Sequence, residues 1–304
     1  MHKLNVSAAP HIHSGASVTR VMLDVIIALL PAAIASVVLF GFQALVLLAA
    51  CIATCVVSEF LFNAIMKKKQ TIGDLSAVVT GLILGLNLSI NVPVWQAVVG
   101  SVFAIIVVKC FFGGIGHNVV NPAVAARVMM LLAFTSTVAG GALPKPELTA
   151  GPTPLTLFGQ EGAPSLITLL LGNHGGCIGE TSAIALLIGF VYLVARKVIR
   201  WQIPVVFTAT VFVCYIAATG DVTAATYQIL AGGLLLGAIF MATDYVTTPI
   251  TTWGRVLFAL GCGLITFAIR FWGSYPEGVS IAILCMNLLT PFLEKWTKKT
   301  PLGG

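Results

Sequence analysis

The sequence predicts an all-α polytopic membrane protein of ten transmembrane helices, arranged as two inverted five-helix halves. Three observations predict it. Of 304 residues, 58% are hydrophobic and 9% charged, against about 25% charged in a soluble domain. So little charge cannot cover a water-facing surface, which excludes a soluble globular protein, a disordered chain and a nucleic-acid binder of the usual kind. The apolar runs are continuous rather than alternating, which argues against a transmembrane β-barrel. Finally, Gly81-Leu82-Ile83-Leu84-Gly85 returns as Gly233-Leu234-Leu235-Leu236-Gly237, 152 positions later, half the chain.

A helix needs about 20 mainly apolar residues to cross a bilayer. Residues 1–20 form a polar arm with three histidines and no signal-peptide apolar core, so the first span itself is expected to direct insertion. The first half, 21–140, holds spans 21–42, 44–66, 75–91, 94–113 and 123–140. Leu75 to Val108 contains no charge, and Asn91-Val92-Pro93 breaks it into two spans. The third span carries Asn87, Ser89 and Asn91 and reads as broken or partly re-entrant, which membranes tolerate inside protein. Segment 141–180 is a loop. Gly140 to Pro164 holds five Gly and five Pro in 25 residues, and Ser165 to Gly172 is apolar but too short to span. The second half, 181–295, holds spans 181–200, 203–219, 225–243, 254–272 and 277–295, followed by a tail over 296–304.

The repeated pentapeptide is followed in each half by a tryptophan (Trp95, Trp253), then an apolar span ending in a base (Lys109, Arg270) and a glycine (Gly113, Gly273). Five spans per half is odd, so the second half is inverted, an arrangement that builds a site at the interface near the midplane.

The net charge of +6 reads as orientation. Ten spans put both termini on one side, and 14 of the 16 Lys and Arg fall there, leaving Lys145 and Arg270 opposite. Placing Arg127 within the fifth span leaves 13 to 2. The positive-inside rule then sets both termini in the cytoplasm and 141–180 on the outer face of the cell membrane.

Few groups here carry chemistry. Six of the seven cysteines lie in or beside apolar runs and read as small buried residues. Cys177 sits on the polar loop. No histidine has partners at metal-ligand spacing, no cysteine cluster suits iron–sulfur, and no nucleotide-binding motif occurs. Of the embedded acids, Asp24 is placed to pair with Arg20 one turn away, and Glu59 to reach the interface or pair with a neighbour. Asp244, before a helix break at Pro249, is the best of the three for an ion or ligand contact. The break at Asn118, Asn121 and Pro122 reads either as helix capping or as a polar docking place at the repeat interface. Gly179-Glu180-Thr181-Ser182 opens the sixth span. Thr181 or Ser182 is placed as its N-cap, and the same geometry suits a phosphate, held by exposed N–H groups or esterified to a hydroxyl.

Gly179-Glu180-Thr181-Ser182-Ala183 at the start of a transmembrane helix resembles the flavinylation motif of the D subunit of the Rnf complex. The related B subunit of the sodium-pumping NADH:quinone reductase carries a similar motif. Ala9-Pro10-His11, Gly113 to Asn118 with Asn121-Pro122-Ala123, and Met241 to Asp244 with Thr248-Pro249 agree with that family. The likeness runs from about residue 8 to 295, and the compact amino terminus favours the Rnf subunit. It implies a channel-like fold and FMN esterified through its phosphate to Thr181 by a separate flavin transferase, with Gly179, Glu180 and Ser182 around it. It also implies a second, noncovalent riboflavin, for which Asn118, Asn121 and Asp244 are candidate contacts. The implied role is electron relay with partner subunits carrying flavin and iron–sulfur centres, coupling ferredoxin and NAD chemistry to Na⁺ or H⁺ movement. No catalytic side chain and no metal are expected. The alternatives are the B-type quinone reductase subunit and a non-redox channel or transporter, in which Thr181 is a plain N-cap.

Overall fold

The computed structural model describes residues 17–144, 150–151, 153–159, 163–273 and 277–298. The arm with His11 and His13, Lys145 and the end of the tail lie outside the described residues.

Among the described residues, ten apolar helical segments overlap the ten predicted spans, of which five, or six with a bent pair, are long enough to cross a membrane. Five are long: α1 (Val18–Phe40), α2 (Phe42–Ile65), α10 (Gln202–Thr219), α13 (Thr252–Trp272) and α14 (Val279–Trp296), of 18 to 24 residues each. A sixth is a bent pair, α11 (Val222–Leu230) and α12 (Leu234–Met241), broken by 65°. The other four are short: α3 (Ser76–Leu86), α4 (Val94–Cys110), α5 (Pro122–Ala133) and α9 (Ala183–Ala195). Between α5 and α9 lie three single turns, α6 (Thr135–Val138), α7 (Pro154–Leu157) and α8 (Leu166–Leu171), and a two-residue pairing of Gly141–Ala142 with Ala150–Gly151. Exposed apolar side chains such as Ile34, Val38, Phe42 and Ile65 ring the long helices. In so apolar a chain they are the lipid-facing surface of a membrane-embedded, multi-pass protein.

The expectation of ten full-length helices is corrected. At 1.5 Å per residue the 11-residue α3 reaches roughly 16 Å, about half the bilayer core. The reason is local. Helix α3 ends at Leu86 rather than 91, and the free carbonyls beyond it accept from the loop: Ile178 N–H donates to Leu88 O at 2.9 Å and Gly179 N–H to Leu86 O at 2.7 Å. The sixth segment covers 183–195 rather than 181–200, because Ser182 caps it and Arg196 closes it. The fifth ends at Ala133 rather than 140.

The eighth segment breaks at Gly232, whose φ of 70° suits glycine. There Arg270 on α13 closes α11, donating from Nη1 to Gln228 O at 2.6 Å and from Nη2 to Ala231 O at 3.4 Å. In the first half Lys109, at the end of α4, donates to Ser76 Oγ at the start of α3. Ser76 and Gln228 are 152 positions apart, the offset of the repeated pentapeptide.

Among the described residues the main apolar cluster runs through α1, α2, α3, α4, α5, α9, α10, α11, α12, α13 and α14, with two smaller clusters beside it. The first helices of the two halves, α1 and α9, pack on each other. They are pinned by Asp24, which accepts from Tyr192 Oη at 2.9 Å and pairs with Arg196 at 3.3 Å. The expected local pair of Asp24 with Arg20 does not form, because a partner across the helix interface displaces it.

Candidate functional site

Three short helices each run between the same two places. Helix α9 begins at Ser182, beside Thr181, and ends near Leu193, Val198 and Ile199. Helix α3 ends at the Thr181 loop and begins at Ser76, and α12 begins beside Glu180 and ends near Thr243. The Thr181 loop is one of these places. The other is a cavity of about 90 Å³ lined by residues that include Asn118, Asn121, Asp244, Lys109 and Ser76.

At the loop, residues 172–182 fold as a hydrogen-bonded cradle. Gly176 pairs with Ala142 in both directions. The His174 ring lies between two carbonyls, Nδ1 2.9 Å from Gly175 O and Nε2 3.1 Å from Thr181 O, and the neutral ring donates to one of them. Burial pushes the His174 pKa down against those two contacts. Gly179 is required where it is, since a Cβ there would lie 2.5 Å from Leu86 Cβ. Between the two N-cap candidates the geometry decides: Ser182 Oγ accepts from Ala185 N–H at 3.4 Å, and Thr181 lies one residue before the cap. Among the described residues no hydrogen bond engages the Thr181 hydroxyl. Thr181 is 1% exposed.

Glu180 turns its carboxylate into the protein. Oε1 accepts from Cys177 N–H at 2.9 Å, and Oε2 faces Gly233 at the start of α12. Burial first, and the neighbouring Glu277 second, push its pKa up to about 8. Beside it, Arg127 on α5 reaches toward the loop. Its Nη2 meets Glu277 at 2.6 Å and Cys177 Sγ at 3.3 Å, and its Nη1 donates to Val138 O at 3.2 Å. The Cys177, Glu180 and Glu277 donor atoms lie within 4.8 Å of one another. The guanidinium already fills the place a cation would take, so the group is an ion-paired network. Arg127 therefore belongs with the loop, apart from the bases among which the charge count places it.

At the cavity, the three candidate contacts do come together. Asn121 caps α5, its Oδ1 accepting from Ala123 and Val124 N–H, and its Nδ2 donates to Met241 O at 3.2 Å. Asp244 accepts from Val246 N–H and Thr247 Oγ1. Both are thus largely satisfied by the chain itself. Asn118 differs: its Oδ1 is buried with no partner among the described residues. Sequence reasoning missed Lys109 as a cavity residue. It is buried at the rim, its Nζ 2.8 Å from Glu59 Oε2. The available signal was an isolated base in an apolar run, 50 positions after an isolated acid in another.

Short apolar helices carrying a polar loop at one end and a largely apolar cavity with a few polar side chains at the other define a multi-pass membrane protein. The chain belongs to the NQR2, RnfD, RnfE family, whose model matches residues 5–303. It is 44% identical to the D subunit of the Na(+)-translocating ferredoxin:NAD(+) oxidoreductase complex of Acetobacterium woodii, over 100% of this chain and 97% of that protein. It is 37% identical to the D subunit of the proton-translocating ferredoxin:NAD(+) oxidoreductase complex of Clostridium ljungdahlii, covering 98% and 96%. It is 33% identical to the D subunit of an ion-translocating oxidoreductase complex of Methanosarcina acetivorans, covering 100% and 99%.

Proposed function

We propose that this chain is the D subunit of an Rnf-type membrane complex, an ion-translocating oxidoreductase that couples ferredoxin and NAD chemistry to Na⁺ or H⁺ movement. Its own part is to relay electrons through FMN joined by a phosphoester to Thr181, between partner subunits. Full-length likeness to three D subunits supports the complex. The observation that carries the flavin is the division of labour at 181–182. Ser182 takes the capping role, which leaves the Thr181 hydroxyl without a structural task at the positive end of α9.

The donor set fits a phosphoester. The hydroxyl is unengaged, the helix end favours an anion, and Glu180, which would repel a phosphate, is committed to the Cys177 amide. Gly179 and Ser182 hold the turn on either side. The close cover over Thr181 must open for the transferase to reach it. Once attached, FMN supplies one-electron redox chemistry. The chain positions it and keeps it in place.

At the opposite end of α9 the cavity is the reading for a noncovalent riboflavin, which Asn118 would hold by hydrogen bonding while Asn121 and Asp244 shape the wall. The ten segments form two inverted halves. The shared offset of Ser76 and Gln228, each bonded by the base of its own half, supports this. Both termini lie in the cytoplasm of the cell membrane and the Thr181 loop faces outward, where a flavin transferase acts.

The test is intact mass, with in-gel flavin fluorescence, on protein made with the transferase. The expected adduct equals FMN less one water and is absent from Thr181→Ala. Unmodified wild-type protein under those conditions overturns the assignment.

A further inference from the structure

Glu180 occupies an unusual position among the buried charges around it. It is 4% exposed, and its Oε2 has no hydrogen-bond partner among the described residues. None of the charged groups that face it hydrogen-bonds to it among the described residues. From α5, Arg127 puts Nη2 on Glu277 and Cys177, and Nη1 on Val138 O. From α13, Arg270 places its two terminal nitrogens on the carbonyls of Gln228 and Ala231, and Nε finds no partner among the described residues. From just before α14, Glu277 brings a second carboxylate within 4.8 Å. From its own loop come the Cys177 thiol and the His174 ring, the latter held on two carbonyls. Glu180 thus forms no ion pair among the described residues and lies among one like charge, Glu277, and two opposite ones, Arg127 and Arg270, whose hydrogen bonds go to other groups.

A carboxylate in that setting has one low-energy way to be neutral, which is to bind a proton. The free Oε2 points at the two-glycine break of α11 and α12, 3.2 Å from where a Cβ on Gly233 would lie. Glu180 is also covalently adjacent to Thr181, so a negative charge arriving on a group carried there acts on it at short range and in low dielectric.

We propose that Glu180 is a proton-binding carboxyl whose hold on its proton is coupled to the charge of the group carried by Thr181, so that in the alkaline range, where the acid ionises, each electron that arrives there draws one proton from the solvent on the loop's side. The balance is simple. An O–H bond forms on Glu180 Oε2, the carboxylate becomes a carboxylic acid, and the added negative charge beside it is offset. When the electron leaves, the O–H bond breaks and the proton returns to solvent. The electron is supplied and removed by the partner centres of the complex. The raised pKa of Glu180 agrees with this. The inference rests on the flavin reading for its electron, and not for its proton.

Two arms separate the two. The first uses full-length Thr181→Ala protein, which carries no attached flavin. Infrared difference spectra across a pH titration are expected to show one carboxylic C=O band, sensitive to D₂O, that disappears in the alkaline range and is missing from Thr181→Ala/Glu180→Gln. Glu294→Gln, on the exposed end of α14, should keep it. If the Gln variant does not assemble, Glu180→Asp should move the band and its midpoint. No titrating band, or a band that survives removal of Glu180, overturns the proposal. The second arm uses the loaded complex in a spectroelectrochemical cell. One proton per electron on Glu180 adds a tenfold change per pH unit to the flavin's reduction equilibrium in the alkaline range in wild type, and this added dependence is absent from Glu180→Gln. A wild-type profile no steeper in the alkaline range than that of Glu180→Gln overturns the coupling. Failure of the flavin reading shows separately, as a missing mass adduct.

Discussion

The Lys109 ammonium and the Glu59 carboxylate, on α4 and α2, meet at 2.8 Å with both side chains 2% exposed. Thr71 Oγ1 and Ser76 Oγ complete the network on either side. Removing one partner of a buried pair leaves an unpaired charge, a loss of roughly 3–5 kcal/mol. Lys109→Met is therefore expected to lower the melting temperature sharply, and Glu59→Gln/Lys109→Met to recover part of it. A double variant no better than the single one would refute the pairing as the cause.

Ser182 and Thr181 are adjacent hydroxyls with different tasks, so their variants should separate. Ser182→Ala removes the N-cap of α9 and is expected to lower stability by about 1 kcal/mol while the FMN adduct still forms. Thr181→Val is expected to leave the helix intact and abolish the adduct. Loss of the adduct in Ser182→Ala with retention in Thr181→Val would reverse the assignment.

Asn118 and Asn121 line the same cavity but differ in what else they hold. Asn118→Ala is expected to lower noncovalent flavin content, read by extraction and chromatography, with little change in melting temperature. Asn121→Ala removes the cap of α5 and the tie to Met241, and is expected to lower stability as well, by about 1 kcal/mol for the cap alone. Unchanged flavin in Asn118→Ala would remove that residue from the site.

Glu180 gives a pH dependence of stated sign. Its pKa is raised from an ordinary 4.5 to about 8, by burial and then by Glu277. The folded chain therefore binds this proton more tightly than the unfolded chain. The resulting stability is fully present below the ordinary value and is lost as pH rises through about 8. Melting temperature in detergent should fall across that window, and Glu180→Gln should flatten the fall. An equal slope in both proteins would assign it to other groups.

Much of this was legible in the sequence. Long apolar runs such as 18–40 and 252–272 announce their helices by composition alone, and the glycine-rich approach to Thr181 announced a turn before a helix. The lengths of α3 and α9 were not legible. What shortens α3 is a loop about 90 positions away donating to Leu86 and Leu88, and hydropathy carries no record of a distant hydrogen bond. The Arg127 network was hidden for a similar reason. A base in an apolar segment reads as the edge of a span until Cys177 and Glu277 are seen beside it. Asn118, Asn121 and Asp244 could be nominated singly as polar residues at breaks, but only the fold puts them on one cavity wall.

Helix α9 joins the Thr181 loop to the cavity in 13 residues, roughly 20 Å of rigid rod. A helix fixes azimuth as well as length, advancing about 100° per residue. One residue inserted into α9 would shift its ends apart by only about 1.5 Å, yet swing Thr181 by more than a quarter-turn relative to Leu193. The two places are held in rotational phase as well as at a distance. The number of residues between them is thus a constraint in its own right, separate from which residues they are.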